Sequence, residues 1–320
     1  MPSKSQKKLM SVVVPAFNEA AGLKTFYDNL SEILEKTSHT YDWEIIFIDD
    51  GSTDHTLSEI NELRQKDPRV RWLSLSRNFG HQAALTAGFE FAKGDAVISM
   101  DCDLQHPVSL LPAMIVQWEN GHDLVITMRE DDPTSGFLKR LTSDYFYRII
   151  NTISNTPIQP SAADFRLMSR KALNAFLKFS ETHRFVRGMV SWMGFKSCEL
   201  RYKPEKRQAG KSKYTLKKMV NFALDGLTSF SIVPLRISTF LGILIFFGTL
   251  AYALYAIIIW FIKPHSLQVG WTSLLVTINL LGGTILLFIG LLGEYIGRIY
   301  EQVKMRPIYL IDKMDGFEKE

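Results

Sequence analysis

Two long runs without a charged residue, in the last third of the chain, constrain its fold more than any other feature. They cover residues 237–262 and 266–293. Because a helix rises about 1.5 Å per residue, each run reaches roughly 39 Å or more, enough to cross a hydrocarbon core of about 30 Å with tilt. A buried hairpin in a soluble core is the alternative, but soluble cores seldom need two such runs. We therefore predict two transmembrane helices within residues 237–297.

Basic residues flank these runs on one side. The connection between the runs offers only Lys263 and His265, whereas basic residues are frequent before the first run and after the second. By the positive-inside rule, both flanking regions face the cytoplasm. We expect a multi-pass protein of the cell membrane with two spans and both termini cytoplasmic. The basic residues are Arg201, Lys203, Lys206, Arg207, Lys211, Lys213, Lys217, Lys218 and Arg236, followed by Arg298, Lys304 and Arg306.

Composition excludes few other classes. The net charge is only +4, and the basic residues concentrate beside the apolar runs, so anionic lipid explains them better than nucleic acid. The two cysteines, Cys102 and Cys198, lack the spacing of a metal or redox site. We expect a membrane partner, no nucleic-acid partner and possible homo-oligomers through the membrane helices.

Ahead of the apolar runs, short β-branched segments alternate with segments of helix length. This alternation predicts an α/β domain with a mainly parallel sheet covered on both faces, and ligands bind such sheets at the carboxyl ends of the strands. The predicted strands cover residues 9–15, 43–48, 70–75, 96–100 and 124–127.

The chain thus divides into four parts. Residues 1–206 form the cytoplasmic α/β domain, 207–236 a juxtamembrane loop and interfacial helix, 237–297 the two spans and 298–320 a cytoplasmic tail. Apolar residues recur on one face of segment 213–235 beneath a basic start, which suits either an interfacial helix or an ordinary packed helix. Segment 137–150 is also amphipathic and predicts a helix.

Two acidic pairs end predicted strands. Asp101 and Asp103 can both point at one ion, and carboxylates suit a hard cation such as Mg²⁺ or Mn²⁺, with Gln105 adding a neutral oxygen. Such an ion bridges the phosphates of a nucleotide and neutralises charge on a leaving phosphate. A solvated acidic turn would show the same Asp-x-Asp pattern. Asp49 and Asp50 form the other pair, where carboxylates can accept from a base N–H or a ribose hydroxyl.

Six motifs follow one another in an order that resembles glycosyltransferase family 2. The closer resemblance is to the polyprenyl-phosphate glycosyltransferases, related to dolichol-phosphate mannose synthase and to bacterial undecaprenyl-phosphate glucosyltransferases, and it extends to the ending at residues 292–298. The motifs are Val14-Pro15-Ala16-Phe17-Asn18-Glu19, Ile48-Asp49-Asp50-Gly51-Ser52, Ser76-Arg77-Asn78-Phe79-Gly80, Asp101-Cys102-Asp103-Leu104-Gln105-His106-Pro107, Asp164-Phe165-Arg166-Leu167-Met168 and Gly210-Lys211-Ser212-Lys213-Tyr214.

This resemblance implies a GT-A type nucleotide-sugar domain and a metal-dependent hexosyltransferase. Mg²⁺ or Mn²⁺ would be held by Asp101, Asp103 and Gln105. The catalytic residues would be Asp103, Asp164 and Arg129. The acceptor phosphate would meet Arg129, Lys211, Ser212 and Lys213. The nucleotide-sugar donor would be bound by Pro15, Phe17, Glu19, Asp49, Asp50, Asp101, Gln105, Arg207 and Lys213.

The implied reaction is inverting transfer of one sugar from a nucleotide-sugar to a polyprenyl phosphate at the cytoplasmic membrane face, for cell-envelope glycosylation. UDP-glucose is the favoured donor, with UDP-N-acetylglucosamine or GDP-mannose as alternatives. A processive polysaccharide synthase is a rival, but its usual Gln-x-x-Arg-Trp segment is absent from the sequence. A non-catalytic nucleotide-sugar sensor is the second rival.

Several single residues carry weaker predictions. Asp164 is either a general base or a group that holds a donor hydroxyl or orients Arg166, because a phosphate monoester with a second pKa of about 6 is already ionised at neutral pH. Cys102 stands where the family commonly has alanine, which predicts a packing role. Three histidines occur singly, which favours structural roles over ligation; they are His81, His106 and His183.

Overall fold

The computed structural model describes residues 7–130, 162–182, 184–203, 233–262 and 270–317. Its centre is an eight-stranded sheet in the order β7-β5-β6-β4-β1-β2-β3-β8. The strands are β1 (Lys8–Ala16), β2 (Tyr41–Asp49), β3 (Val70–Leu75), β4 (Ala96–Ser99), β5 (Leu124–Arg129), β6 (Ala162–Ser169), β7 (Ser197–Tyr202) and β8 (Ile311–Asp315). The helices are α1 (Ala20–Thr37), α2 (Thr56–Lys66), α3 (His81–Phe91), α4 (Leu111–Glu119), α5 (Arg170–Phe176), α6 (Val186–Trp192), α7 (Val233–Ile262) and α8 (Trp271–Val303), with a 3₁₀ turn at Val108–Leu110.

The sheet is mainly parallel. Strands β1 to β4 pair in parallel, and so do β5 and β7. Strand β6 runs antiparallel between β4 and β5, and β8 runs antiparallel along β3. Six strands therefore point one way and two the other, which confirms the expected α/β class. Their carboxyl ends meet at one edge, since Ala16 is in register with Asp49, and Asp49 with Ser74.

Apolar layers cover both faces of the central strands. Helix α1 packs Leu23, Phe26 and Leu30 into one layer, and α3 contributes Leu85 and other residues to the opposite layer. Strands buried on both faces become nearly continuous apolar runs in sequence. That is why the five predicted strands agree with β1 to β5 to within two residues at each end.

Three strands of the sheet were not predicted. Strand β6 contains the Asp164 motif, and β7 alternates exposed and partly buried residues along most of its length. Strand β8 falls in the predicted cytoplasmic tail, whose boundary at residue 298 lies inside α8. Three of the five residues of β8 are charged, a composition that indicates a solvated tail. The helix predicted at 137–150 lies outside the described residues, as does most of the one predicted at 213–235.

The apolar runs form two long helices, α7 with 30 residues and α8 with 33. Many of their described side chains are exposed, such as Phe247 at 61% and Leu286 at 70%. Within the part of the chain that the structure describes, one segment, Thr277–Val303, is long and apolar enough to cross a membrane. Helix α7 contributes a shorter apolar stretch, Ser238–Tyr252.

Candidate active site

The loops that follow β1 and β2 are tied to each other. The Asn18 N–H donates to Ser52 Oγ at 2.9 Å, and the Thr53 N–H donates back to Asn18 Oδ1 at 2.8 Å. The Glu19 N–H donates to Thr56 Oγ1 at 2.9 Å. Asn18 has a φ of 54°, in the left-handed region that asparagine tolerates better than most residues. These bonds fix the backbone that carries the predicted donor-binding residues of the first motif.

Asp50 is buried and holds the loop that follows β3. Its Oδ1 accepts from the Phe79 N–H at 2.7 Å, and its Oδ2 accepts from the Gly80 N–H at 2.9 Å and from Asn78 Nδ2 at 3.0 Å. Burial raises the pKa of Asp50, and the two backbone hydrogen bonds oppose that rise. The carboxylate therefore organises residues 78–80 through three hydrogen bonds.

Asp49 also accepts hydrogen bonds through both of its carboxylate oxygens. Its Oδ1 accepts from the Ser52 N–H at 3.1 Å, and its Oδ2 accepts from Ser74 Oγ at 2.9 Å. Gly51 follows Asp50 in the loop after β2 and lies against the loop after β3. Its φ is +66°, and a Cβ at this position would clash with the backbone of Arg77. Only glycine allows this close approach, so the acidic pair and Gly51 together join the ends of β2 and β3.

Asp101 lies between two histidines. The first residue of α3, His81, brings its Nε2 to 2.7 Å from Asp101 Oδ1. Burial lowers the pKa of His81, but the charge of Asp101 and this hydrogen bond outweigh it and raise the pKa to about 9. Burial raises the pKa of Asp101, yet the same contact brings the net shift downward. The pair is therefore an imidazolium and a carboxylate at neutral pH.

The second histidine, His106, supports the backbone. Its Nδ1 accepts from the Asp101 N–H at 3.1 Å, and its ring stacks on Phe165 with centroids 5.1 Å apart. The histidines at 81 and 106 are thus gathered at the acidic loop rather than scattered, which the sequence analysis missed. His106 keeps the expected structural role.

The rest of the acidic loop brings Asp103, Gln105 and Arg129 together. The Gln105 N–H donates to Asp103 Oδ1 at 3.1 Å, and Arg129 Nη1 donates to Gln105 Oε1 at 3.3 Å. Leu104, which lies between Asp103 and Gln105 in the sequence, has a φ of 61°, in the left-handed region. Arg129 is the last residue of β5, and its guanidinium group therefore lies at the end of the strand, beside the acidic loop. Asp101, Asp103 and Gln105 supply the hard oxygen atoms that Mg²⁺ and Mn²⁺ prefer.

Asp164 forms a buried charge network. On β6, its Oδ1 accepts from Arg166 at 2.6 Å, and Arg187 of α6 donates to both carboxylate oxygens at 3.3 and 3.0 Å. Burial opposes ionisation, but the charges of Arg187 and Arg166 hold the pKa of Asp164 far below its usual range. Asp164 is 8% exposed and Arg166 2%. The contact with Arg166 is observed, and the role of Asp164 as a general base, as a group that holds a donor hydroxyl or as one that orients Arg166 stays a prediction.

Tyr202, the last residue of β7, packs edge-on against His106 of the acidic loop, with ring centroids 6.0 Å apart. Burial raises its pKa to about 12, and the charges of Arg129, Asp101, Asp103 and Arg187 all act on its hydroxyl. Arg187 and Tyr202 were therefore missed as site residues. Neither carries a signal in its local sequence, since each reaches the site only through the packing of α6 or β7.

The remaining predicted residues divide into two groups. Pro15 lies in the buried part of β1, which ends at Ala16, and Phe17 and Glu19 follow the strand. Cys102 is 2% exposed with its Sγ 3.6 Å from the Pro15 carbonyl oxygen, which confirms its packing role. The juxtamembrane residues predicted to contact the donor and the acceptor phosphate lie outside the described residues; they are Arg207, Lys211, Ser212 and Lys213.

Residues 11–177 match the sequence profile of Glycosyl transferase family 2, which is more than half of the chain. The chain therefore belongs to this family, and the predicted hexosyltransferase class is confirmed, on a fold of GT-A type.

Several relatives match nearly end to end. A SfII prophage-derived bactoprenol glucosyl transferase of Shigella flexneri is 44% identical over 304 residues, covering 95% of this chain and 97% of the relative. A prophage bactoprenol glucosyl transferase homolog of Escherichia coli is 43% identical and covers 95% of this chain and 99% of the relative. An uncharacterized glycosyltransferase of Bacillus subtilis, YkcC, is 40% identical, with 96% and 94% covered.

Solved structures are more distant. Glucosyl-3-phosphoglycerate synthase from Mycobacterium tuberculosis, in complex with Mn²⁺, UDP-glucose and phosphoglyceric acid, has 18% identity and a TM-score of 0.46, covering 69% of this chain and 78% of that chain. The mannosyltransferase PcManGT from Pyrobaculum calidifontis, in complex with GDP-mannose and Mn²⁺, has 16% identity and a TM-score of 0.45, covering 94% and 86%.

Proposed function

We propose that the chain transfers one sugar from a nucleotide-sugar to a polyprenyl phosphate at the cytoplasmic face of the cell membrane. The observation that carries the proposal is the 44% identity, over 95% of this chain, to a bactoprenol glucosyl transferase. The name of that relative also favours glucose as the sugar, with UDP-glucose as the donor. The product is a polyprenyl-phosphate-linked sugar for cell-envelope glycosylation.

A divalent cation fits the acidic loop. Asp101, Asp103 and Gln105 offer oxygen ligands on one turn, with Arg129 beside them. Within the described residues, no three His, Cys, Asp or Glu side chains gather as a complete metal cage. Mg²⁺ is often held by one or two carboxylates and by the phosphates of a substrate, a set that Asp101, Asp103 and a bound nucleotide-sugar would supply. When bound, the ion neutralises negative charge on the departing nucleoside diphosphate.

The chemistry at the sugar is a direct displacement. An oxygen of the lipid phosphate forms a bond to the anomeric carbon, while the bond from that carbon to the nucleoside diphosphate breaks and its electron pair leaves with the diphosphate. The anomeric configuration inverts. No proton must be removed, since the acceptor is already ionised at neutral pH. Asp164, engaged by two guanidinium groups, accordingly serves to hold Arg187 and Arg166 rather than to act as a base.

Helices α7 and α8 provide the two membrane spans in this proposal. Strands β1 to β7 and strand β8 belong to one sheet, which favours placing them on the same side of the membrane. The chain between them would then cross the membrane an even number of times, which favours two spans over a single span by α8. Two crossings match the two uncharged runs and leave the catalytic domain and the C-terminus together on the basic, cytoplasmic side.

A transfer assay tests the activity. The purified full chain in lipid nanodiscs that contain undecaprenyl phosphate is incubated with Mn²⁺ and labelled UDP-glucose, UDP-N-acetylglucosamine or GDP-mannose. We expect one lipid-linked monosaccharide, formed fastest from UDP-glucose, and none from an Asp103→Asn control. Longer products would instead indicate a processive synthase, and no transfer from any donor would indicate a nucleotide-sugar sensor.

Cysteine labelling tests the topology. After replacement of Cys102 and Cys198 by alanine, a cysteine at Gln268 should react with a membrane-impermeant maleimide on intact cells. A cysteine at Asp312, whose side chain is 56% exposed, should react only after the cells are opened. Labelling of Asp312→Cys from outside would overturn the cytoplasmic placement.

A further inference from the structure

The chain beyond α8 folds back onto the catalytic sheet. We call residues 304–317 the C-terminal segment. Its strand β8 pairs with β3, with Trp72 opposite Asp315 and Leu73 opposite Met314. Arg64 of α2 contacts Asp315 at 3.3 Å. The segment is therefore a part of the catalytic domain that lies, in sequence, after the apolar helices.

The same segment contacts both ends of residues 76–91, which comprise a loop and α3. At the start of the loop, the Ser76 N–H donates to the Leu310 carbonyl oxygen at 2.9 Å. At the end of α3, the Tyr309 hydroxyl donates to the Glu90 carboxylate. The ring of Phe317 packs edge-on against Phe91, with centroids 5.1 Å apart. The C-terminal segment thus holds this loop and helix at two separate points.

Residues 76–91 in turn hold both acidic strand ends of the site. The amides of Phe79 and Gly80 bond to Asp50, and His81 contacts Asp101 at 2.7 Å. Residues 76–91 therefore contact both the C-terminal segment and the carboxylates predicted to bind the nucleoside and the metal ion.

We propose that the C-terminal segment positions the nucleotide-sugar site, acting through residues 76–91, with Tyr309 as its main positioning residue. The proposal rests on the proposed function for the identity of the donor, but its structural part concerns only the order of residues 76–91.

The end of α8 is joined to this arrangement. Gln302 donates from Nε2 to the Ser180 carbonyl oxygen at 2.7 Å, and its Oε1 accepts from the Thr182 N–H at 2.8 Å. Only residues 304–308 separate α8 from Tyr309. Five residues span at most about 18 Å when fully extended, so the placement of α8 limits the placement of the C-terminal segment.

Simple protection of a sheet edge is the competing explanation. Strand β8 covers β3, and loss of that cover alone would loosen β3 and its neighbours evenly. A positioning role instead predicts a local effect, because Tyr309 and Phe317 contact α3 from outside the strand pairing. The two explanations therefore differ in which backbone amides lose protection and in which substrate binds less well.

The first measurement is amide hydrogen exchange on the full chain in nanodiscs without ligands. In a Tyr309→Ala, Phe317→Ala double variant, exchange across residues 76–91 should rise at least about tenfold while β2 stays protected. Tyr309→Phe removes the hydroxyl bond to Glu90 but leaves the contact of Phe317 with Phe91, so it should show an intermediate rise. Asp312→Asn, an exposed position on β8, is the matched control and should change nothing.

The second measurement is steady-state transfer with the same variants. The double variant should raise the KM for UDP-glucose about tenfold and leave the KM for undecaprenyl phosphate unchanged. Tyr309→Phe, which loses the hydroxyl bond to Glu90 but leaves Phe317 in place, should raise the KM for UDP-glucose by a smaller factor. Unchanged exchange in residues 76–91, or an equal rise throughout the sheet, would overturn the proposal. The exchange measurement needs no turnover, so it decides the matter even if the proposed sugar transfer fails.

Discussion

The two acidic strand ends look alike in sequence and differ in the folded protein. Asp49 and Asp50 are 2% and 3% exposed and accept hydrogen bonds from the chain's own loops. The Asp101 side chain is 33% exposed, and the loop around it presents oxygen atoms beside His81 and Arg129. The comparison teaches that one acidic pair is enclosed by hydrogen-bond donors of the chain's own loops, whereas the other lies partly exposed beside charged side chains, where we propose that the ion binds.

Loss of the ligand-facing pair should have the largest effect on activity. Asp103→Asn removes a charge from the proposed ion site, so transfer should fall on the order of 10³-fold, while the free energy of unfolding should change by less than about 0.5 kcal/mol. Excess EDTA should also abolish transfer in the wild type, and Mg²⁺ or Mn²⁺ should restore it. Full activity in EDTA would refute the metal assignment.

Loss of the structural pair should appear first in stability. Asp50→Ala leaves the buried amides of Phe79 and Gly80 without an acceptor, which should cost about 2–4 kcal/mol of unfolding free energy. Thermal or denaturant unfolding measures this cost, and Asp103→Asn serves as the matched control. Equal stability of the two variants would break the comparison.

The variant Asp164→Asn tests whether Asp164, like Asp49 and Asp50, organises neighbouring residues rather than taking part in the reaction. Asp164→Asn weakens the charge that holds Arg166 and Arg187, and transfer should fall about 10- to 100-fold, the range typical of a group that orients a site residue. The loss should stay nearly constant from about pH 6.5 to 9, because the acceptor, with a second pKa of about 6, needs no base there. Single-turnover transfer at saturating donor measures it. A defect that disappears at high pH would show Asp164 to be a general base.

The smallest expected effect is a pH dependence of stability in the metal-free protein. The pKa of His81 is raised to about 9 in the fold, so its contribution to stability is complete below its ordinary pKa of about 6.5 and is lost as pH rises through about 9. Thermal unfolding in EDTA should therefore show a melting temperature that falls across this interval. His81→Gln should flatten the profile, and an unchanged slope in that variant would assign it to another group.

Sequence patterns predicted the buried strands of the sheet better than its edge strands. Strands β1 to β5 are recognisable because burial on both faces leaves an apolar run, whereas β8 contributes mostly charged residues to a sheet edge and has no such pattern. The acidic motifs likewise indicated where the site lies. Their partners could not be predicted, since the contacts of Asp101 with His81 and of Asp164 with Arg187 join residues from separate elements.

The position of β8 after both apolar helices also governs the order in which the sheet is completed during synthesis. Synthesis delivers β1 to β7 first, while the outer edge of β3 has no partner, and an unpaired edge is a site for aggregation. That edge is covered only after both apolar helices have been synthesised and the last residues have returned to the domain. A nascent chain interrupted anywhere before β8 therefore carries an exposed β3 edge, the kind of edge that other chains can pair with.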